Sequence, residues 1–238
     1  MIIELREVSK SYGALRVADA INLGVPRGEA LGVIGPNGAG KSTLFGLMSG
    51  ALRPDAGKIF LADRDVTRDS AEARCIAGVA RSHQIPQPFE RLTVFENLLV
   101  AAAFGQQKTE REATKVCGEV LELTGLLPEA NLVAGSLSLL DRKRLEMARA
   151  LATGPRVLLL DEIAGGLTEG ECHELVESIR TVHASGVTIV WIEHIVHALL
   201  AVVSRLMVLN FGKKIAEGDP RAVMDSAEVR EIYLGSPV

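Results

Sequence analysis

Gly35-Pro36-Asn37-Gly38-Ala39-Gly40-Lys41-Ser42 decides how the rest of the chain is read. It fits the pattern G-x-x-x-x-G-K-S/T, and its neighbours supply the right setting. Ala30–Ile34 reads as a short buried strand, and Ser42–Met48 as a helix. The glycines let backbone N–H groups curl around phosphate oxygens. The positive end of the helix adds to the attraction. Lys41 places a point charge between the β- and γ-phosphates, and Ser42 offers a hydroxyl to Mg²⁺. The candidate nucleotide contacts are therefore Gly35, Pro36, Asn37, Gly38, Ala39, Gly40, Lys41, Ser42 and Thr43. A strand–helix turn with coincidental glycines is the competing reading.

The next segment outward is Val157–Leu160, a continuous apolar run that ends in Asp161-Glu162. Such a run is typical of a buried parallel strand. Asp161 is placed to hold Mg²⁺ through water, and Glu162 to polarise the attacking water. On its own an acidic pair after a strand often just caps the next helix. Beside a phosphate loop it reads as catalytic. No Asn-Lys-x-Asp motif follows to read a guanine base, and no arginine-rich lid marks a small-molecule kinase.

The remaining pattern is a strand–helix alternation, which implies a parallel-sheet core. Residues 2–8 and 15–25 alternate loosely around a turn at Tyr12-Gly13, and Lys58–Leu61 reads as another strand. From Thr93 to Leu151 the pattern turns helical. Glu169–Ala184 is an amphipathic helix, and Val187–Ile192 a second buried strand ending in Glu193-His194. Arg205–Leu209 and Lys213–Ala216 suggest a hairpin near Phe211-Gly212, and a helix containing Val229–Leu234 closes the chain. The fold class is α/β: a P-loop core with a mainly parallel sheet, an N-terminal antiparallel β-subdomain and an inserted helical lobe. Residues 1–84 and 152–238 form the core, and 85–151 the lobe.

Composition sets bounds on this reading. With 238 residues, 47% of them hydrophobic, the chain has material for one sizeable core. A net charge of −4 implies no bulk attraction to nucleic acid or anionic lipid. Cys75, Cys117 and Cys172 are scattered and odd in number, which fits a reducing cytosol. The start, Met1-Ile2-Ile3-Glu4, lacks the basic and apolar regions of a signal peptide, and no segment approaches the ~20 apolar residues of a membrane span.

With these motifs in place the chain resembles the ATP-binding cassette family over essentially its whole length. Five further positions carry the resemblance. Tyr12 is similar to the aromatic that stacks on adenine, although an aromatic on a strand often fills a core. Gln84 resembles the glutamine that reaches Mg²⁺ and the attacking water. Leu137-Ser138, before Arg144–Leu151, opens the signature segment, whose Ser138 serves the ATP of a partner subunit. Gly165–Thr168 occupies the dimer-contacting loop, and His194 resembles the switch histidine on the γ-phosphate. The resemblance thus implies Glu162, His194 and Gln84 in catalysis, Ser42, Gln84 and Asp161 around Mg²⁺, and ATP as the nucleotide.

Within the family, three segments resemble the ATPases of branched-chain amino acid importers: Arg91–Val100, Ile192–Val196, and the tail from Ala216–Pro220 through Val229–Gly235. Lipid and lipopolysaccharide exporter ATPases share much of this. The resemblance implies a peripheral subunit at the cytoplasmic face of the membrane. It implies partners in integral permease subunits and a second cassette, with a solute-binding protein involved only indirectly and no nucleic acid.

The chain departs from the family in three places. The signature Leu-Ser-Gly-Gly-Gln reads Leu137-Ser138-Leu139-Leu140-Asp141 here. Leucine side chains obstruct the approach that glycines allow, and Asp141 adds negative charge beside a polyphosphate. Alternatively Asp141 caps the next helix, with Arg142, Lys143 and Arg144 compensating its charge. Thr168 stands where an Asp is usual, and Ile163 where a Pro is usual. The altered signature leaves two expectations side by side: an active transport ATPase, and a nucleotide-binding regulatory half of a heterodimer with little hydrolysis of its own. A soluble cassette acting on DNA or ribosomes is a third. It fits less well, because the chain has neither two cassettes nor a coiled-coil insertion.

Overall fold

The computed structural model describes residues 1–106 and 108–234. The chain opens on an antiparallel hairpin, β1 (Ile3–Tyr12) and β2 (Leu15–Val25). It then enters β3 (Ala30–Ile34), the glycine-rich loop and α1 (Lys41–Ser49). β4 (Ala56–Leu61) and β5 (Arg64–Asp65) return to the hairpin, giving a sheet ordered β2-β1-β4-β5. After α2 (Ala71–Ile76) and β6 (Val79–Arg81) come three mutually packed helices, α3 (Val94–Gln106), α4 (Glu110–Thr124) and α5 (Leu139–Ala152). β7 (Val157–Asp161), α6 (Glu169–Ala184), β8 (Thr188–Ile192) and α7 (Val196–Leu200) follow. β9 (Arg205–Asn210), β10 (Lys213–Gly218), α8 (Pro220–Asp225) and α9 (Ala227–Leu234) end the described chain. Gly235, the last residue of the family-like tail, lies outside the described residues.

The second sheet has the order β10-β9-β3-β8-β7-β6, parallel except for β10 against β9. Every residue of β3, β7 and β8 is buried, which explains their unbroken apolar runs. A strand covered on both faces has no solvent side to make polar. Alternate residues serve two cores. Ile34, Leu158, Leu160, Ile189 and Trp191 face the core shared with α3–α6, while Val33, Val157, Leu159, Val190 and Ile192 join α1 and the antiparallel sheet. The helices of the 94–152 region thus share one continuous apolar core with the sheet.

Five short elements escape the sequence reading: β5, α2, β6, α7 and α8. Each has six residues or fewer, too few to display a period. The helical stretch from Thr93 is also broken more than expected. Gly125 ends α4 in a left-handed conformation, and a loop with one 3-10 turn at Ala134–Ser136 precedes α5. Arg74 of α2 shows how a short element gains a fixed place. Its guanidinium is fully buried and donates to the carbonyls of Leu47, Met48 and Thr67. Leu47 and Met48 lie in the last turn of α1, where the helix dipole favours a cation. Burial lowers the Arg74 pKa from its ordinary value.

Candidate nucleotide site

Parallel pairing decides where the site lies. Val33 of β3 and Asp161 of β7 both stand level with Ile192 of β8, so the loops leaving these strands emerge side by side. Open parallel sheets bind ligands at this carboxyl edge. In the loop after β3, a side chain has no room at two glycines. A Cβ on Gly35 would lie 2.2 Å from the Leu209 carbonyl oxygen, and one on Gly40 would lie 2.3 Å from that of Val17. Gly40, at φ 103, is also the N-cap of α1 and supplies no side-chain cap. The first N–H groups of α1 are thereby left for an anion. Lys41 is only 8% exposed. Its Nζ turns back to donate to the Gly35 carbonyl at 2.7 Å and the Pro36 carbonyl at 3.2 Å, so its charge sits within the loop. Ser42 beside it is exposed.

Asp161 ends β7 with its carboxylate nearly buried, and Arg81 Nη2 donates to its Oδ2 at 2.5 Å. Glu162 then leaves the sheet at φ 45. A left-handed glutamate costs ~1–3 kcal/mol and persists where the surroundings hold it; here its N–H donates to the Ile192 carbonyl at 2.9 Å. The turn brings its carboxylate to Gln84, whose Nε2 donates to Glu162 Oε2 at 2.8 Å. His194 Nδ1 lies 4.0 Å from the same oxygen. Gln84, Glu162 and His194 line one cavity of about 440 Å³, together with Ile85, Pro86, Leu139, Lys143, Gly165 and Gly166. Residues 110 positions apart in the chain are thus brought to one place (Gln84 to His194).

Two buried charges here escaped the sequence reading. Glu193 is 1% exposed. It accepts the N–H groups of Ala164 and His194, both at 3.1 Å, and lies 3.2 Å from His194 Nδ1. Burial pushes its carboxyl pKa up from 4.5, against the pull of those N–H groups and of His194. It ties the histidine loop to the loop after Glu162. Lys143 is the second. Its Nζ donates to the Gln84 carbonyl at 2.8 Å. The only sequence signal for either was a charged residue flanking a motif.

The oxygen donors Ser42, Asp161 and Gln84 suit Mg²⁺. Among the described residues no group of three or more His, Cys, Asp or Glu side chains is arranged for a metal. An ion that arrives with nucleotide phosphates takes only one or two protein oxygens and keeps several waters, so this sparse donor set fits it. Tyr12 ends β1 and is 51% exposed, so it does not fill the sheet core.

At the signature segment the helix cap is Ser138. Its hydroxyl accepts the Asp141 N–H at 3.1 Å and donates to Asp141 Oδ2 at 2.6 Å. Asp141 therefore completes the cap from the first turn and is not itself the N-cap. Of the three basic residues after it, Arg144 alone meets Asp141, at 3.4 Å. Arg142 bonds the Gly135 and Leu137 carbonyls, and Lys143 turns inward. The two leucines also divide. Leu140 is 6% exposed and belongs to the core, whereas Leu139 is 43% exposed. Thr168 caps α6 with Glu171 in a reciprocal box, a role Thr shares with Asp. Ile163 is fully buried.

A glycine-rich strand–helix loop, an acidic strand end and a polar cavity at one sheet edge define a nucleotide hydrolase of the P-loop class. Comparison with known proteins gives the family. The ABC transporter family matches residues 18–165, and the family described as branched-chain amino acid ATP-binding cassette transporter matches residues 213–238. The chain belongs to the ABC transporter family. It is 33% identical to the high-affinity branched-chain amino acid transport ATP-binding protein BraF of Pseudomonas aeruginosa, over 98% of each chain. It is 34% identical to the lipopolysaccharide export system ATP-binding protein LptB of Acidithiobacillus ferridurans, over 98% of this chain and 97% of that one. The crystal structure of the ADP conformation of MJ1267, an ATP-binding cassette of an ABC transporter, superposes with a TM-score of 0.89 at 30% identity over 99% of both chains. This chain is an ATP-binding, ATP-hydrolysing transporter subunit that works with membrane permeases. No described helix is long and apolar enough to cross a membrane.

Proposed function

We propose that this subunit powers uptake of branched-chain amino acids or related small molecules, at the cytoplasmic face of the cell membrane, as one of two unequal cassettes. The observation that carries the catalytic part is the convergence of Gln84, Glu162 and His194 on one cavity at the sheet edge that bears the Lys41 loop. In this reading Tyr12 stacks on adenine, and residues 35–43 hold the phosphates. Ser42, Asp161 and Gln84 surround Mg²⁺, Glu162 polarises the attacking water, and His194 meets the γ-phosphate. The substrate class rests on the importer relatives and on the tail match at 213–238. Stimulation of the reconstituted transporter by leucine, and not by lipopolysaccharide, separates uptake from the exporter reading.

The inequality of the cassettes rests on the signature. Ser138 already spends its hydroxyl hydrogen on Asp141, and Leu139 projects from the segment that a partner's γ-phosphate would approach. This chain's own loop, Asp161, Glu162 and His194 form a full set, so its ATP is hydrolysed when the partner brings an intact signature. The lobe of residues 85–151 transmits the change to the permeases.

Permease docking has a candidate surface. Ile85 and Phe89 are exposed, and Phe89 borders an apolar groove of about 330 Å³ with Cys75, Ile76, Val100 and Phe104. Exposed apolar groups gathered in this way mark contact sites. In the assembled transporter, cysteines placed at Ile85 and Phe104 in a Cys75→Ser background form cross-links to a short helix of a membrane subunit. No adduct at either position contradicts this docking.

A further inference from the structure

One face of α5 holds the backbone of the segment that carries Gln84. Lys143, Glu146 and Arg149 are spaced three apart, so they share that face. Glu146 Oε1 accepts the His83 N–H at 3.2 Å, Lys143 Nζ donates to the Gln84 carbonyl at 2.8 Å, and Arg149 Nη1 donates to the Gln87 carbonyl at 2.7 Å. Two of the three links are structural in character. Arg149 also pairs with Glu146 at 3.3 Å, and its guanidinium lies 5.1 Å from the Phe89 ring centre. Lys143 differs. It is 4% exposed and lines the cavity that contains Gln84, Glu162 and His194. Burial pulls its pKa below the ordinary lysine value, and the nearby carboxylates of Glu193, Glu146 and Glu162 offset part of that loss. Burying an ammonium costs several kcal/mol unless its partners are well placed. A lysine whose only role was to fill space would carry that cost without return.

We propose that Lys143 is a positioning residue for hydrolysis. Its ammonium holds the Gln84 carbonyl, and so sets the side chain of Gln84 against Glu162 from the first turns of the signature helix. The helix that touches a partner's ATP is thereby tied directly to this chain's own catalytic pair. A shift of α5 moves Gln84 relative to Glu162, and a displacement of about 1 Å at such a pair costs on the order of a hundredfold in rate. This inference rests on the assignment of Gln84 and Glu162 to hydrolysis.

Two readouts test it, on the full chain and on the assembled transporter. In Lys143→Met, amide hydrogen exchange across residues 83–87 quickens about tenfold without nucleotide, because a charged hydrogen bond to that backbone is lost. In the same variant kcat falls about tenfold or more while KM for ATP stays within about twofold, the pattern of a lost transition-state interaction. Lys143→Arg, which keeps charge and donors, restores both to within about threefold of the parent. Should Lys143→Met not fold, Lys143→Gln, which removes the charge and shortens the reach, is read in the same way. Parent-like exchange, parent-like kcat, a rise in KM alone, or a loss that Lys143→Arg does not restore each overturns the proposal. A parent transporter without turnover would instead sink the hydrolytic assignment, and the exchange readout would still test the anchor.

Discussion

Glu162→Gln keeps ATP binding at the parent level and cuts turnover about a hundredfold or more. The geometry explains why the two effects separate. Glu162 Oε2 accepts a hydrogen bond from Gln84 Nε2 at 2.8 Å, and a carboxamide oxygen accepts the same bond, so the pair keeps its shape. What disappears is the negative charge proposed to polarise the attacking water. Removing a carboxylate beside a polyphosphate does not weaken binding, because like charges repel. His194→Ala lowers turnover in the same direction through loss of the proposed γ-phosphate contact. Nucleotide affinity and steady-state hydrolysis, measured on the assembled transporter, check both variants. Parent-like turnover in Glu162→Gln removes that residue from the mechanism.

Lys41→Ala weakens ATP binding about a hundredfold or more, equivalent to ~3 kcal/mol. Two losses combine. The ammonium is the cation placed inside the loop, bonded to the Gly35 and Pro36 carbonyls, and those bonds also brace the loop in its open curl. Alanine removes the charge and the brace together, while α1 itself persists because its other buried residues, Leu44, Phe45, Leu47 and Met48, hold it in the core. Titration with a fluorescent ATP analogue measures the effect. Parent-like affinity excludes the loop as the phosphate site.

The sequence carried the parts of the site that depend on local order. Gly35–Ser42 declared itself because glycine, lysine and serine at fixed offsets are a backbone requirement. β3, β7 and β8 declared themselves because strands buried on both faces become unbroken apolar runs. Asp161 followed from where β7 ends, whereas Gln84 and His194 were assigned through the resemblance to the family. The contacts that complete the site were hidden because they depend on packing between distant segments. Lys143 and Gln84 are 59 residues apart, and Lys143 looked like one of three cations offsetting Asp141. Glu193 looked like a strand-end carboxylate, and only the fold shows that it links the histidine loop to Ala164. The left-handed backbone of Glu162 has no local signal at all, since its cause is the neighbouring β8.

The signature segment gives the same lesson in the other direction. Read as sequence, Leu139 and Leu140 were equivalent obstructions. In the fold Leu140 is a core residue, and replacing it with glycine would leave a cavity costing ~3 kcal/mol or more. A repair of the signature should therefore change Leu139 and Asp141 and leave Leu140 in place.

In the proposed heterodimer this chain holds a complete catalytic set behind a defective signature. Steady-state hydrolysis tests it most directly, comparing a purified dimer of this chain with its pairing to a cassette that carries an intact Leu-Ser-Gly-Gly-Gln. The dimer of this chain is expected to turn over well below ~1 s⁻¹, and the mixed pair to reach ordinary enzymatic rates of ~1 s⁻¹ or more. Turnover of the mixed pair at this chain's own site is lost with Glu162→Gln, while Leu139→Gly with Asp141→Gln raises turnover at the partner's site. A dimer of the parent chain that already hydrolyses ATP at ~1 s⁻¹ or faster would contradict the claim, because the signature would then be competent as it stands.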